Sequence, residues 1–379
     1  MAKNRLLFVD NLRTVMIVLV ILVHLSVTYG GEGSWFYKER PVDMPTVTVL
    51  SFFNAVTQSY FMGLLFFLAA YFTPGAYDRK GPGRFVRDRL LRLGIPLLVY
   101  EYVIHPLQAY PLIEAGAIDG YDSFGESLVR YYGSFHIGSG PLWFVETLLI
   151  FAVLYAVLRL ASKPAPEAHD APSRLPGPGA ILVFAAALGM LSFVVRLRFP
   201  VNWALGFFNL QLPFFVQYSA MLIVGVIACR RDWLMCVPRA MGRRCLIVAA
   251  VLIFVLFPVL FTLGGALEGN VAPFLGGLHW QAFGYAMWEQ LLGVAMIVGL
   301  TVFFREHLNR QGHLAREAAA ASYTTYILHA AVVILFTLAV RDIALYPLLK
   351  FALVALIVVP LCFALGAGVR RLPLARRIL

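Results

Sequence analysis

Apolar stretches of about 20 residues recur along nearly the whole chain, and no other feature limits its fold so tightly. Each can cross a ~30 Å hydrocarbon layer as a helix. Inside that layer the backbone must satisfy its own hydrogen bonds. Composition agrees: 60% of the 379 residues are hydrophobic and 13% are charged, against about 25% charged in a soluble chain. The fold class that follows is all-α, a polytopic integral membrane protein of about ten helices.

Spans are expected near 13–31, 47–73, 94–112, 141–160, 179–197, 204–228, 246–267, 281–304, 320–340 and 346–368, within a single membrane-embedded domain covering 1–379. The first resembles a signal peptide only superficially. Asp10 and Arg13 crowd it, and no small-x-small cleavage site follows, so it reads as a retained span. With both termini cytoplasmic, 24 of the 31 Lys and Arg fall on the cytoplasmic side, and the seven left outside are Lys38, Arg40, Arg130, Arg196, Arg198, Arg341 and Lys350. A wrong span count would scramble that alternation. The net charge of +11 is therefore mostly topology and no sign of nucleic-acid binding.

The loops are short. The longest are the outer stretch near 113–140 and the Pro/Ala-rich "SKPAPEAHDAPSRLPGPG", a flexible tether. Cys229, Cys236, Cys245 and Cys362 fall in or beside cytoplasm-facing helix ends, where disulfides are not expected, and their spacing fits no metal motif. No phosphate-cradling glycine loop or dinucleotide fingerprint is present. The chemistry is left to the bundle and its loops.

Ionisable residues within apolar helices cost a few kcal/mol or more and usually face a cavity. Arg13, His24, Glu101, His105, Glu146, Glu289, His329 and Lys350 are the candidates. Arg13 and His24 have ten residues between them. Eleven steps of about 100° bring them within about 20° of one face, roughly 16 Å apart along the axis. Asp10 lies a turn before Arg13, placed to pair with it. Taken singly, Arg13 reads as a positive-inside anchor and His24 as a packed histidine. Taken together, they read as a cationic entrance in line with a titratable base near mid-bilayer.

In "ASYTTYILHA", Ser322, Tyr326 and His329 form one helical stripe, with His329 about 15 Å deep, near the level of His24. In "GPLWFVETLLIF", Pro141 suits a first turn, Trp143 and Phe144 suit the interfacial aromatic belt, and Glu146 lies a turn deeper. Glu101 and His105 are spaced to pair with each other, and Glu289 follows Trp288 in the eighth span. The basic "GRFVRDRLLRLGIP" reads as an amphipathic turn along the membrane surface, either a lipid anchor or a cradle for a cytosolic polyanion. "LQLPFFVQ" around Pro213 looks like a broken helix.

Together, "DNLR" with its Arg13–His24 spacing, "RFVRDRLLRLGIPLL", "GPLWFVETLLIF" and "SYTTYILH" resemble acyltransferase family 3, in order from residue 5 to about 335. Within that family the chain is similar to the branch that includes the succinyltransferase of periplasmic glucans. The resemblance implies acyl transfer from cytosolic acyl-CoA to a hydroxyl of an extracytoplasmic glycan, in a bacterial inner membrane. It also maps the family's essential arginine and histidine onto Arg13 and His24. Some relatives carry an added hydrolase-like domain. The present chain is expected to act alone or with a partner.

Acyl transfer needs a base for the acceptor hydroxyl and a donor for the tetrahedral oxyanion. The expected roles are His24 as base, His329 or Tyr326 as the second polar contact at the thioester, and Arg13, Arg84, Arg89 and Arg92 at the CoA phosphates. Glu146, Trp143 and Glu289 are expected on the acceptor side. Neither a metal nor a permanently bound cofactor is expected, and no serine or cysteine nucleophile with an adjacent base suggests a covalent acyl-enzyme. The outer segments "WFYKER", "YDSFGES" and "GGLHWQ" offer aromatics and acids suited to a sugar. Two rivals stand beside this reading. A proton-coupled transporter or flippase would use the same intramembrane groups. An unrelated membrane O-acyltransferase with a single buried histidine would leave the Arg13 placement unexplained.

Overall fold

The computed structural model describes residues 5–118, 123–133, 139–162, 175–206, 210–373 and 375–378. Most of the Pro/Ala-rich tether, part of "YDSFGES", and Lys3, Lys163 and Arg174 lie outside them. Among the described residues ten helices are long and apolar enough to cross a membrane. They are α1 (Leu7–Thr28), α2 (Met44–Lys80), α3 (Pro82–Glu114), α4 (Gly140–Ala161) and α5 (Pro178–Arg196), then α6 (Leu212–Arg230), α7 (Arg239–Leu263), α8 (Trp280–His307), α9 (His313–Ala339) and α10 (Pro347–Arg370). No strand is present among these residues, only an isolated bridge between Leu205 and Leu210. The protein is all-α and polytopic, and each expected span overlaps its helix in order.

Helices α2, α8 and α9 are mostly buried, whereas α5, α7 and α10 expose most of their surface. Helix α1 packs against α2, α8, α9 and α10, and α6 lies along the second half of α2. The starts of α1 and α9 are pinned side by side. Asn11 donates to the carbonyls of Leu308 (2.7 Å) and Arg310 (3.0 Å), and the Phe8 N–H donates to Asn309 (3.2 Å). The Thr14 and Ser322 hydroxyls meet at 3.0 Å one turn further in, so the two helices run parallel.

Two kinds of irregularity break the helices. Widened π turns at 90–94, 100–104 and 252–256 each precede a proline, Pro96, Pro106 and Pro258. Proline lacks an N–H and its ring clashes with the carbonyl four residues earlier, and a π turn opens the room. In an apolar medium the freed carbonyls need donors. Tyr323 of α9 donates to Arg92 O at 2.6 Å and Tyr132 to Tyr102 O at 2.7 Å, while the Trp288 indole is a second donor, at 2.8 Å, to Leu252 O, which already accepts the Phe257 N–H.

The second irregularity splits α2 into Met44–Gln58 and Phe61–Lys80. Gln217 of α6 donates to Ser59 O at the break (2.7 Å) and to Gln290 Oε1 (3.0 Å). Gln290 and Arg196 both donate to Glu289 Oε2, at 3.0 and 2.6 Å. A side chain at Gly293 would collide with Ser59 O and Gln217, which accounts for glycine there.

Three expectations change. Helix α6 starts at Leu212, so Pro213 sits in a first turn, where its missing N–H costs nothing, and breaks no helix. Arg196, counted among the outer charges, is fully buried. The basic stretch is the opening of α3 itself. Helix α3 has 33 residues, about 50 Å at ~1.5 Å each, well beyond a ~30 Å hydrocarbon layer.

Candidate active site

Helix α1 carries Arg13 at its exposed end and His24 three turns further in, with Ile17 and Val20 buried between them. The His24 ring is half-buried and lies against two other rings. Trp35, from the α1–α2 loop, lies at 3.9 Å between centroids and 19° between planes. His329 of α9 lies at 5.2 Å and 18°. Tyr326 lies against His329, at 5.4 Å and 28°. The Trp35 and His329 centroids are themselves 6.5 Å apart, so they approach His24 at about a right angle to each other and the four rings form a cluster.

Hydrogen bonding fixes one tautomer. The Nδ1 of His329 lies 2.5 Å from the Tyr326 carbonyl, which can only accept, so Nδ1 carries the proton. The lone pair is then on Nε2, which is buried with no hydrogen-bond partner, as is Nδ1 of His24. The Tyr326 hydroxyl donates to Pro141 O in a short contact that leaves it no proton for a substrate. In this arrangement neither member of the α9 pair offers a free donor to a thioester carbonyl.

A second rank surrounds this cluster. The ring of His105 packs against Phe36 (5.6 Å), Tyr100 (5.9 Å) and Tyr131 (5.3 Å). Gly140, at φ +47°, lets α4 start against it, since a Cβ there would stand 3.2 Å from the Tyr100 hydroxyl and 3.5 Å from His105. Glu101 and His105 form no ion pair among the described contacts. The π turn at 100–104 widens the helix between them and takes them off the four-residue ridge. Glu101 instead neighbours Glu146 of α4. Glu146 bonds Ser139 and leaves Oε2 buried and unpartnered.

The remaining expected residues are dispersed. Trp143 stacks on Tyr218 at 5.5 Å, and Phe144 meets Tyr326 at 5.9 Å. Both pack against neighbouring helices inside the bundle. Glu289 is held through Oε2 by Arg196 and Gln290 in the network at the α2 break, and its Oε1 is buried without a hydrogen-bond partner. Asp10 takes both Arg13 (2.9 Å) and Arg5 (2.5 Å). Arg84 and Arg92 are exposed at the start of α3, and Arg89 lies over the Phe85 ring at 5.1 Å. Lys350 is buried, 2.7 Å from Glu39 in the α1–α2 loop.

Two prominent cavities lie elsewhere. One, of about 800 Å³, opens at the arginine-rich end beside Arg239, Arg305 and Arg310. The other, of about 240 Å³, is apolar and lies among α5, α6, α7 and α8. Sequence reasoning placed Trp35 in the outer segment "WFYKER" as a sugar-suited aromatic and did not set it against His24, although the aromatic pair "WF" in a loop directly after the histidine helix was a usable signal. It also missed Arg196 and Gln217, whose partners are remote in sequence.

The helical bundle thus brings together two imidazoles, each with one buried nitrogen that has no hydrogen-bond partner. Comparison with profiles of known families matches residues 6–367 to the Acyltransferase domain family. The chain belongs to acyltransferase family 3 and is a multi-pass membrane acyltransferase. Comparison with curated proteins and with solved structures found no match.

Proposed function

We propose that this acyltransferase moves an acetyl, succinyl or similar short acyl group from cytosolic acyl-CoA to a hydroxyl of an extracytoplasmic glycan. The setting is a bacterial inner membrane with both termini cytoplasmic. The observation that carries this reading is the His24–His329 pair, 5.2 Å apart in the bundle, with His24 on the same helix as Arg13. Arg13, Arg84, Arg89 and Arg92 gather at one end, as a CoA polyanion requires. The base lies roughly 16 Å further along α1.

His24 takes the acceptor's O–H proton as that oxygen attacks the thioester carbonyl. The C–O bond forms, the tetrahedral intermediate collapses, the C–S bond breaks and the proton passes to the departing CoA thiolate. No acyl-enzyme is needed. Two imidazolium rings this close would repel, so His24 and His329 hold one extra proton between them at a time. With Tyr326 and neutral His329 unable to donate, the protonated member of the pair is the oxyanion's donor. Glu146, with a free carboxylate oxygen, faces the acceptor, while Trp143 and Glu289 support the bundle.

The test is direct. Purified protein should be heat-stabilised by CoA and should release thiol from acetyl-CoA or succinyl-CoA in the presence of a glycan. His24→Ala should keep the stabilisation and lose the transfer. Normal turnover in His24→Ala would refute the assignment. A transporter would show neither CoA response.

A further inference from the structure

We infer that Trp35 is a positioning residue for His24, one whose π face stabilises the imidazolium formed when His24 accepts the acceptor's proton. The inference rests on His24 being the base, as proposed above. The indole lies parallel to the imidazole at 3.9 Å, well inside the ~6 Å range over which a cation is held by an aromatic face. Tryptophan carries the strongest such face among the side chains. His329, the other ring against His24, is farther off at 5.2 Å, stands at about a right angle to the indole as seen from His24, and has its own proton engaged with Tyr326 O. The indole is thus the nearer of the two rings to the developing positive charge.

The loop is built to hold the ring there. Trp35 makes no hydrogen bond through its buried Nε1, so the indole N–H is not its anchor. The backbone on either side provides it. Before the ring, Gly31 N–H donates to Ser26 O (2.8 Å), Glu32 N–H to Ser51 (3.0 Å) and Asn54 to Glu32 O (2.9 Å). After it, Glu39 N–H donates to Thr28 O (2.8 Å), and the Glu39 side chain pairs with buried Lys350 (2.7 Å). In the reaction the proton leaves the acceptor oxygen, resides on His24 beneath the indole and departs on the CoA thiolate. Trp35 itself exchanges nothing.

Fluorination weakens the π face while leaving the size and shape of the indole nearly unchanged. Mono-, di- and trifluorotryptophan placed at position 35 should lower turnover step by step, with the heat-unfolding midpoint and the acyl-CoA KM unchanged. Trp35→Leu should lose about ten-fold in turnover, and Trp35→Phe should recover part of it. A flat fluorination series in folded protein overturns the inference, and so does a rise in turnover for Trp35→Leu, which would make the indole an obstruction. His24→Ala run alongside separates the two claims. If it is inactive while the series is flat, only the role of Trp35 falls. If it is active, the base assignment itself falls.

Discussion

A neutral imidazole has one donor and one acceptor, so committing one nitrogen decides what the other can do. In His329 the Tyr326 carbonyl makes that choice, leaving an accepting nitrogen toward the interior of the bundle. His329→Gln can still bond the Tyr326 carbonyl but cannot hold a proton. If His329 shares the proton of His24, turnover should fall by about a hundred-fold or more, with CoA-induced heat stabilisation retained. A loop residue gives a second prediction. Asp43 caps α2, accepting from the Thr46 hydroxyl (2.6 Å) and from Tyr346 (3.0 Å). These bonds, that of Thr46 foremost, hold its carboxyl below the ordinary 3.8. A carboxyl depressed on folding stabilises above its unfolded value, and the gain is lost as pH falls through the folded one. The melting-temperature gap between wild type and Asp43→Ala should therefore shrink below pH 3.8.

The helices owe their irregularities to single residues, and those irregularities aim the site. A π turn adds one residue to the helix, so removing it turns everything beyond by about 100°. Pro96→Ala allows the first π turn of α3 to relax, which would swing Tyr100 and His105 away from the ring cluster around His24. Turnover should drop while the unfolding midpoint holds or rises. Tyr323→Phe strands Arg92 O and should cost about 1 kcal/mol in a denaturation series. The stripe Ser322, Tyr326, His329 and the shared face of Arg13 and His24 were readable because helical periodicity converts spacing directly into direction. The π turns were marked by Pro96, Pro106 and Pro258, but a proline alone does not say whether a helix kinks, ends or widens. The break at Ser59 carries no proline or glycine of its own, and its explanation, Gln217, lies in α6.

Across the whole molecule, hydropathy places the spans because a hydrocarbon layer accepts little else, and it is silent on which buried charges meet. Arg196 ends an apolar run and so reads as a loop charge, yet it is fully buried 2.6 Å from Glu289. Arg196→Leu leaves a carboxylate alone in the interior and should cost about 3–5 kcal/mol, whereas Arg196→Leu with Glu289→Leu should recover most of it. Equal losses in the single and double variants, read from unfolding midpoints, would mean that the pair is not what holds α5 to α8.

That pair has a consequence for biosynthesis. Its two members are 93 residues apart in the chain, roughly 5–20 s of synthesis at ~5–20 residues per second. Helix α5 must therefore leave the ribosome and meet lipid with an uncompensated guanidinium, able only to reach for the headgroups. Nascent chains halted before Glu289 should keep Arg196 open to water-borne reagents, and the bundle should close around it only once α8 has been made.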